Sequence, residues 1–176
     1  MRRLRIVLLP LALAACGSQP EVKAENASIA EVAQAARVAS KIEPGQWRTE
    51  TTIEAVEMPG MPVQIADAMK KQMAANGTQK IETCVTREQA ERPPEELLGG
   101  KGSDACRYET FEMKGGKLNA VMACKGMGPG AGEMRMTIAG DYGGTRYDLI
   151  GTAEMDMGQK MTMRTHVKGS RIGACG

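Results

Sequence analysis

A chain of 176 residues holds one domain and some tail, since domains usually run to about 100–200 residues, and its 23 Lys and Arg against 21 Asp and Glu give a formal charge of +2. Arg2, Arg3 and Arg5 supply that excess; without them 20 cations face 21 acids, and a near-neutral body lacks the clustered cations that phosphate binding needs, so no nucleic-acid partner is expected. Aromatic residues make up only 3% while Met reaches 14 residues, so thioethers fill volume that rings fill elsewhere, and the core is soft and adaptable.

Met1 to Ala15 carries three arginines, then an apolar run from Ile6 that ends in small residues before Cys16. This is the layout of a secretory signal peptide, and it is too short to span a bilayer, which takes about 20 apolar residues. Leu13, Ala14, Ala15 and Cys16 resemble the lipobox of bacterial lipoproteins, whose cysteine takes lipid on sulfur and becomes the new amino terminus. The alternative is ordinary cleavage after Ala12, Leu13 and Ala14. Parity favours lipidation: the chain has five cysteines, an odd thiol in an exported protein needs an explanation, and a lipid-bearing Cys16 leaves an even set. Each buried methylene contributes about 0.8 kcal/mol, so several acyl chains make a firm membrane anchor. Gly17, where an aspartate would signal retention, implies by analogy with lipoproteins an outer-membrane site facing the periplasm.

Gly17 to Asn26 is polar and without periodicity, which reads as a flexible tether. Ser28 with Glu31 has capping-box spacing, and Ile29, Val32, Ala33 and Ala36 recur at helical spacing, so a helix is expected from Ser28 to Ser40. The organisation is then a signal peptide over 1–15, a lipidated cysteine, tether and short helix over 16–41, and a globular domain over 42–176.

Pro44 and Gly45 end that helix. From Trp47 the period becomes two, with Trp47, Thr49, Thr51, Ile53 and Ala55 on one face of a strand and Arg48, Glu50, Thr52 and Glu54 on the other. Met58 to Pro62 is a turn, and Pro62 suits the first position of a second helix. Ile65, Met69 and Met73 give that helix an apolar stripe expected to lie on the sheet, and Gly77 suits its carboxyl cap. Gln79 to Val85 is a short strand reaching Cys84; Thr86 and Gln89 repeat the capping-box spacing before Pro93 and Pro94, and Glu95 to Asp104 is a polar loop.

Cys106 to Met113 and Lys117 to Cys124 flank Lys114, Gly115 and Gly116, a hairpin signal. A two-residue loop puts Phe111 and Met113 on one face with Leu118, Ala120 and Met122, but sets Cys106 on the opposite face from Cys124. A three-residue loop places the cysteines directly opposite but aligns Glu112 with Leu118. A disulfide therefore predicts either the longer loop or a bulge that changes the parity. After a glycine-rich loop over Gly126 to Gly132, three more strands follow: Glu133 to Asp141, Thr145 to Asp156 and Lys160 to Arg171. The expected fold class is mainly β (α+β): a curved antiparallel sheet or incomplete barrel of about seven strands packed by one or two helices.

Pro44, Gly45 and Trp47 opening a strand, the Met58–Pro62 turn, Cys84 with Thr86, Cys106 with Cys124, and the terminal Arg171, Gly173 and Cys175 together resemble a bacterial domain-of-unknown-function family numbered thirty-six seventeen. The resemblance covers about Ile42 to Gly176. It implies a small exported or lipid-anchored domain of proteobacteria and transfers no catalytic residue.

Four cysteines allow three connectivities; the hairpin favours Cys106 with Cys124, leaving Cys84 with Cys175 to tie the last strand to the sheet. No Cys-x-x-Cys is present to lower a thiol pKa, so these disulfides are read as structural. Met134 with Met136, Met155 with Met157, and Met161 with Met163 each place two thioethers on one strand face. Soft sulfur selects Cu(I), although burial alone produces the same alternation. His166 is the only histidine and points to the solvent side of the last strand, with no nucleophile elbow nearby, and the glycine-rich loop lacks a Gly-Lys-Ser/Thr ending. No catalytic set and no cofactor are expected. The reading is a non-enzymatic envelope lipoprotein that binds a small apolar ligand or an envelope protein partner across a Met-rich face; the alternatives are a structural or stress-related envelope component, or Cu(I) binding.

Overall fold

The structure is a computed structural model that describes residues 21–39, 42–75, 77–91, 105–127, 132–156 and 158–176. The expected signal peptide, Cys16, Pro93 and Pro94, the expected polar loop over Glu95 to Asp104, and Met157 lie outside the described residues.

Among the described residues eight strands form one open antiparallel sheet. They are β1 (Val22–Ser28), β2 (Gly45–Glu57), β3 (Thr78–Val85), β4 (Cys106–Lys114), β5 (Lys117–Met127), β6 (Gly132–Tyr142), β7 (Arg146–Asp156) and β8 (Lys160–Gly173), with α1 (Ile29–Ala39), α2 (Val63–Ala75) and α3 (Arg87–Glu91) between them. The order across the sheet is β1-β4-β5-β6-β7-β8-β2-β3, so a sequential meander from β4 to β8 is flanked by β1 on one side and the β2–β3 pair on the other.

The hairpin satisfies both of the rules that collided in the sequence. Gly115 and Gly116 both have positive φ, 56° and 78°, which is the backbone of a tight two-residue turn. Met113 lies opposite Leu118 and Phe111 opposite Ala120; a bulge at Glu109 then shifts the register, so that Tyr108 faces Met122 and Cys106 faces Cys124. The extra residue exchanges the parity of the strand, and Cys106, Tyr108, Phe111 and Met113 are all buried on one side.

The expected tether over Gly17 to Asn26 is in part a strand. Val22 to Ser28 pair with β4 as an eighth, edge strand, with Ala24 opposite Phe111 and Ala27 opposite Tyr108. Its Lys23, Glu25 and Asn26 are exposed while Val22 and Ala27 are buried, and because the irregularity at Asn26 breaks the alternation the segment reads in sequence as a polar stretch. Ser28 then caps α1 as expected: its Oγ accepts from the Glu31 N–H at 3.2 Å, and Glu31 Oε2 accepts from the Ser28 N–H at 2.7 Å. Ile29, Val32, Ala33, Ala36 and Ala39 are buried, and α1 lays most of this stripe on Tyr108, Phe111, Met113, Ala120 and Met122 to make the main core.

Three other expectations change. The apolar stripe of α2 is rotated: Ala66 is buried and Met69 and Met73 half-buried, but Ile65 is 53% exposed and the helix touches mainly β2. In β2, a bulge between Ile53 and Ala55 turns Val56, not Ala55, to the inner side opposite Met163. The expected glycine-rich loop shrinks as well, because β5 extends to Met127 and β6 begins at Gly132, with 128–131 outside the described residues. The capping pair Thr86 and Gln89 forms at the start of α3 as expected.

Both disulfides are present, Cys106 with Cys124 and Cys84 with Cys175. The first binds neighbouring strands within the core. The second reaches from the edge strand β3, across the end of β2, to the segment that follows β8.

Candidate functional site

Directly paired residues of antiparallel strands project to the same side, so the register converts the methionine spacing into a map of one face. One row runs across the sheet as Cys106, Cys124, Met134, Met155 and Met161. The next runs Tyr108, Met122, Met136, Ala153, Met163 and Val56. Leu149 and Val167 face each other two rows further on. Met134, Met136, Met155, Met161 and Met163 therefore share the inner side, with Met134 and Met136 packed against the core under α1.

Coverage of this side is uneven. Under α1 the inner side chains of β4 and β5 are buried apart from half-buried Leu118, yet of the apolar side chains on β6, β7 and β8 only Ala153 is buried. The central strands of a sheet this wide normally carry its driest residues; here Met155, Met163, Leu149 and Val167 are only half-buried. A shelf of thioether and aliphatic groups results.

An aromatic knot closes the far end of the shelf. Trp47 and Tyr147 stack with ring centroids 5.9 Å apart, the Tyr147 hydroxyl hydrogen-bonds Thr49 Oγ1 at 2.7 Å, and Trp47 Nε1–H donates to the Glu43 carbonyl at 2.9 Å. Tyr147 lies over Gly169, where an added Cβ would stand 2.1 Å from the ring. The glycine is thus required by the ring above it. Sequence reasoning found Trp47 as a strand opener but not its partner, because Tyr147 reaches it only through the pairing of β8 with both β7 and β2.

The outer side is ionic. His166 was expected as a plain surface residue; instead it is held between two carboxylates, with Nδ1 3.2 Å from Glu54 Oε1 and Nε2 meeting Asp148. The contact with His166 is the first cause of Asp148 being held below the usual carboxylate value, with Lys168 adding to it. Arg164 donates to Glu54 at 2.9 Å and Arg135 to Glu109 at 2.6 Å. An open groove of about 740 Å³ on this side is lined by Arg48, Glu50, Asp141, Asp148 and Lys168. A second, of about 540 Å³, brings Met134, Met155 and Met161 to the same end of the sheet as Arg135 and Glu154. Both grooves are open to solvent. Among the described residues no group of three His, Cys, Asp or Glu is placed to hold a metal ion, and no helix is long and apolar enough to cross a membrane.

Burial acts on two tyrosines. Desolvation pushes the Tyr108 hydroxyl up to about 12 and raises that of Tyr142. Tyr142 Oη is buried and has no hydrogen-bond partner among the described residues.

These features define a disulfide-stapled, open antiparallel sheet with one apolar and one ionic side, packed by a capped helix. A family model described as protein of unknown function (DUF3617) matches residues 42–175, and the chain belongs to that family. No curated protein and no solved structure matches it.

Proposed function

We propose that this protein is a non-enzymatic binding module of the bacterial cell envelope, held at the outer membrane through lipid on Cys16, and that it takes a small apolar ligand on its inner shelf. The half-burial of Met155, Met163, Leu149 and Val167 at the centre of the sheet carries the reading. Unbranched thioethers re-pack around guests of different shape, and an apolar lining with few polar groups is the usual character of a ligand site. The lipid anchor draws support from cysteine arithmetic: Cys84, Cys106, Cys124 and Cys175 are consumed in disulfides, which leaves Cys16 as the one thiol to be explained.

Gentle extraction of the full chain followed by native mass spectrometry tests this reading. A bound small molecule is expected, and Met155→Glu, which puts a charge on the shelf, is expected to remove it. Protein that is ligand-free in every preparation overturns the reading, and a protein retained in place of a small molecule reassigns the shelf to an envelope partner. Removing the anchor while preserving export separates this reading from a purely structural or stress-related role: ligand affinity survives the loss of the anchor, whereas a positional role does not.

The placement of Met134, Met155 and Met161 directly opposite one another on three adjacent strands favours Cu(I) as a second reading. Three neighbouring thioethers form a soft donor set suited to that ion. Stoichiometric copper by elemental mass spectrometry after purification with Cu(I), lost in Met155→Leu, supports it; copper-free wild-type protein rejects it.

A further inference from the structure

We propose that two copies of this chain join through β3, pairing edge to edge in an antiparallel register centred on Ile81, so that their sheets become one across a two-fold axis. β3 is a sheet edge. Its residues from Thr78 to Cys84 are all exposed, Ile81 to 59%, and its pairing with β2 runs without a bulge. The opposite edge is different: β1 is interrupted at Asn26, whose φ is 48°, and Arg107 grips that residue through both its side-chain and backbone oxygens. Proteins guard edges by such irregularities. β3 has none.

The charges on β3 select the partner and the register. A two-fold axis between antiparallel edge strands stands normal to the sheet and preserves its faces, so every allowed register places one residue opposite its own copy. Centring on Lys80 opposes two ammonium groups, and centring on Glu82 opposes two carboxylates. Centring on Ile81 sets Lys80 opposite the partner's Glu82, and its symmetry mate repeats the pair. It also brings the two exposed Ile81 side chains together on the inner side. Within one copy the outer side already alternates in sign along Asp148, Lys168, Glu50 and Lys80, with Lys80 3.0 Å from Glu50 and Lys168 3.6 Å from Asp148. The partner's Glu82, itself 2.8 Å from Arg48 in its own copy, continues that alternation across the axis. A second copy is therefore the occupant to which this edge is complementary.

Charge exchange tests the proposal on the full chain in detergent. Sedimentation velocity is expected to show a dimer. Lys80→Glu and Glu82→Lys each oppose like charges twice, and each is expected to weaken association by on the order of tenfold or more. Mixing the two single variants restores opposite charges at both pairs, so a heterodimer is expected at wild-type strength; its appearance also shows that both variants are folded. The double variant is likewise expected to dimerise. A monomeric wild-type chain, single variants that associate unchanged, or a mixture that stays monomeric overturns the proposal. So does a monomer carrying an extended peptide along this edge.

Discussion

Tyr142 is the residue whose removal of one atom carries the clearest sign. Its hydroxyl is buried without a partner among the described residues, and an unsatisfied buried polar group costs about 1–3 kcal/mol. Tyr142→Phe is therefore expected to stabilise the protein by about 1 kcal/mol in urea denaturation, with no loss of packing. Asp148 behaves oppositely. Its pKa is depressed by His166 and Lys168 below the ordinary value of 3.8, so its contribution is present above that pH and is lost as pH falls through the lowered value. Asp148→Asn is expected to be less stable than wild type near neutral pH, with the two urea midpoints converging in strong acid. The sequence revealed that His166 stands on the outer side, since alternation fixes the face. Its carboxylates were hidden: Glu54 lies 112 positions away and Asp148 18, and only the sheet register joins them. The same holds for Trp47 and Tyr147.

Elements with local signals were legible. Ser28 with Glu31, and Thr86 with Gln89, specify helix starts within four residues, and both caps form. Ser28→Ala is expected to cost about 1 kcal/mol, read as a lower melting temperature with α1 still docked. The hairpin was legible because two constraints on one strand admitted few solutions, and the Glu109 bulge is the one the chain uses. β1 was missed because half of its face is solvent-exposed Lys and Glu, and α2 was misread because its stripe turns by one residue when few contacts hold it. The disulfides differ in reach, with sequence separations of 18 and 91. Loop entropy assigns roughly 3 kcal/mol to a short loop and about 4.7 to one near 100 residues, so replacing Cys84 and Cys175 by serine is expected to lower the urea midpoint substantially. Opening the buried Cys106–Cys124 pair adds a packing loss to its smaller entropic share.

At the scale of the molecule, the family boundary and the folding boundary do not coincide. The family match begins at residue 42, yet α1 supplies Ile29, Val32, Ala36 and Ala39 to the main core. Each large apolar side chain buried there contributes about 1.5–3 kcal/mol, against a typical total stability of about 5–15. A chain starting at residue 42 is expected to aggregate and to unfold at a markedly lower urea concentration than the full chain. The half-covered shelf was not legible at all, since alternation marks which side is apolar without saying what covers it. The nesting of one cystine inside the other has a consequence for biogenesis. As the chain enters an oxidising compartment amino end first, Cys84 appears before Cys106 and Cys124, while its correct mate Cys175 follows 91 positions behind it. Oxidation in order of appearance would couple Cys84 to Cys106, so maturation to the native cross-links calls for delayed oxidation or for an isomerase that reshuffles the first product.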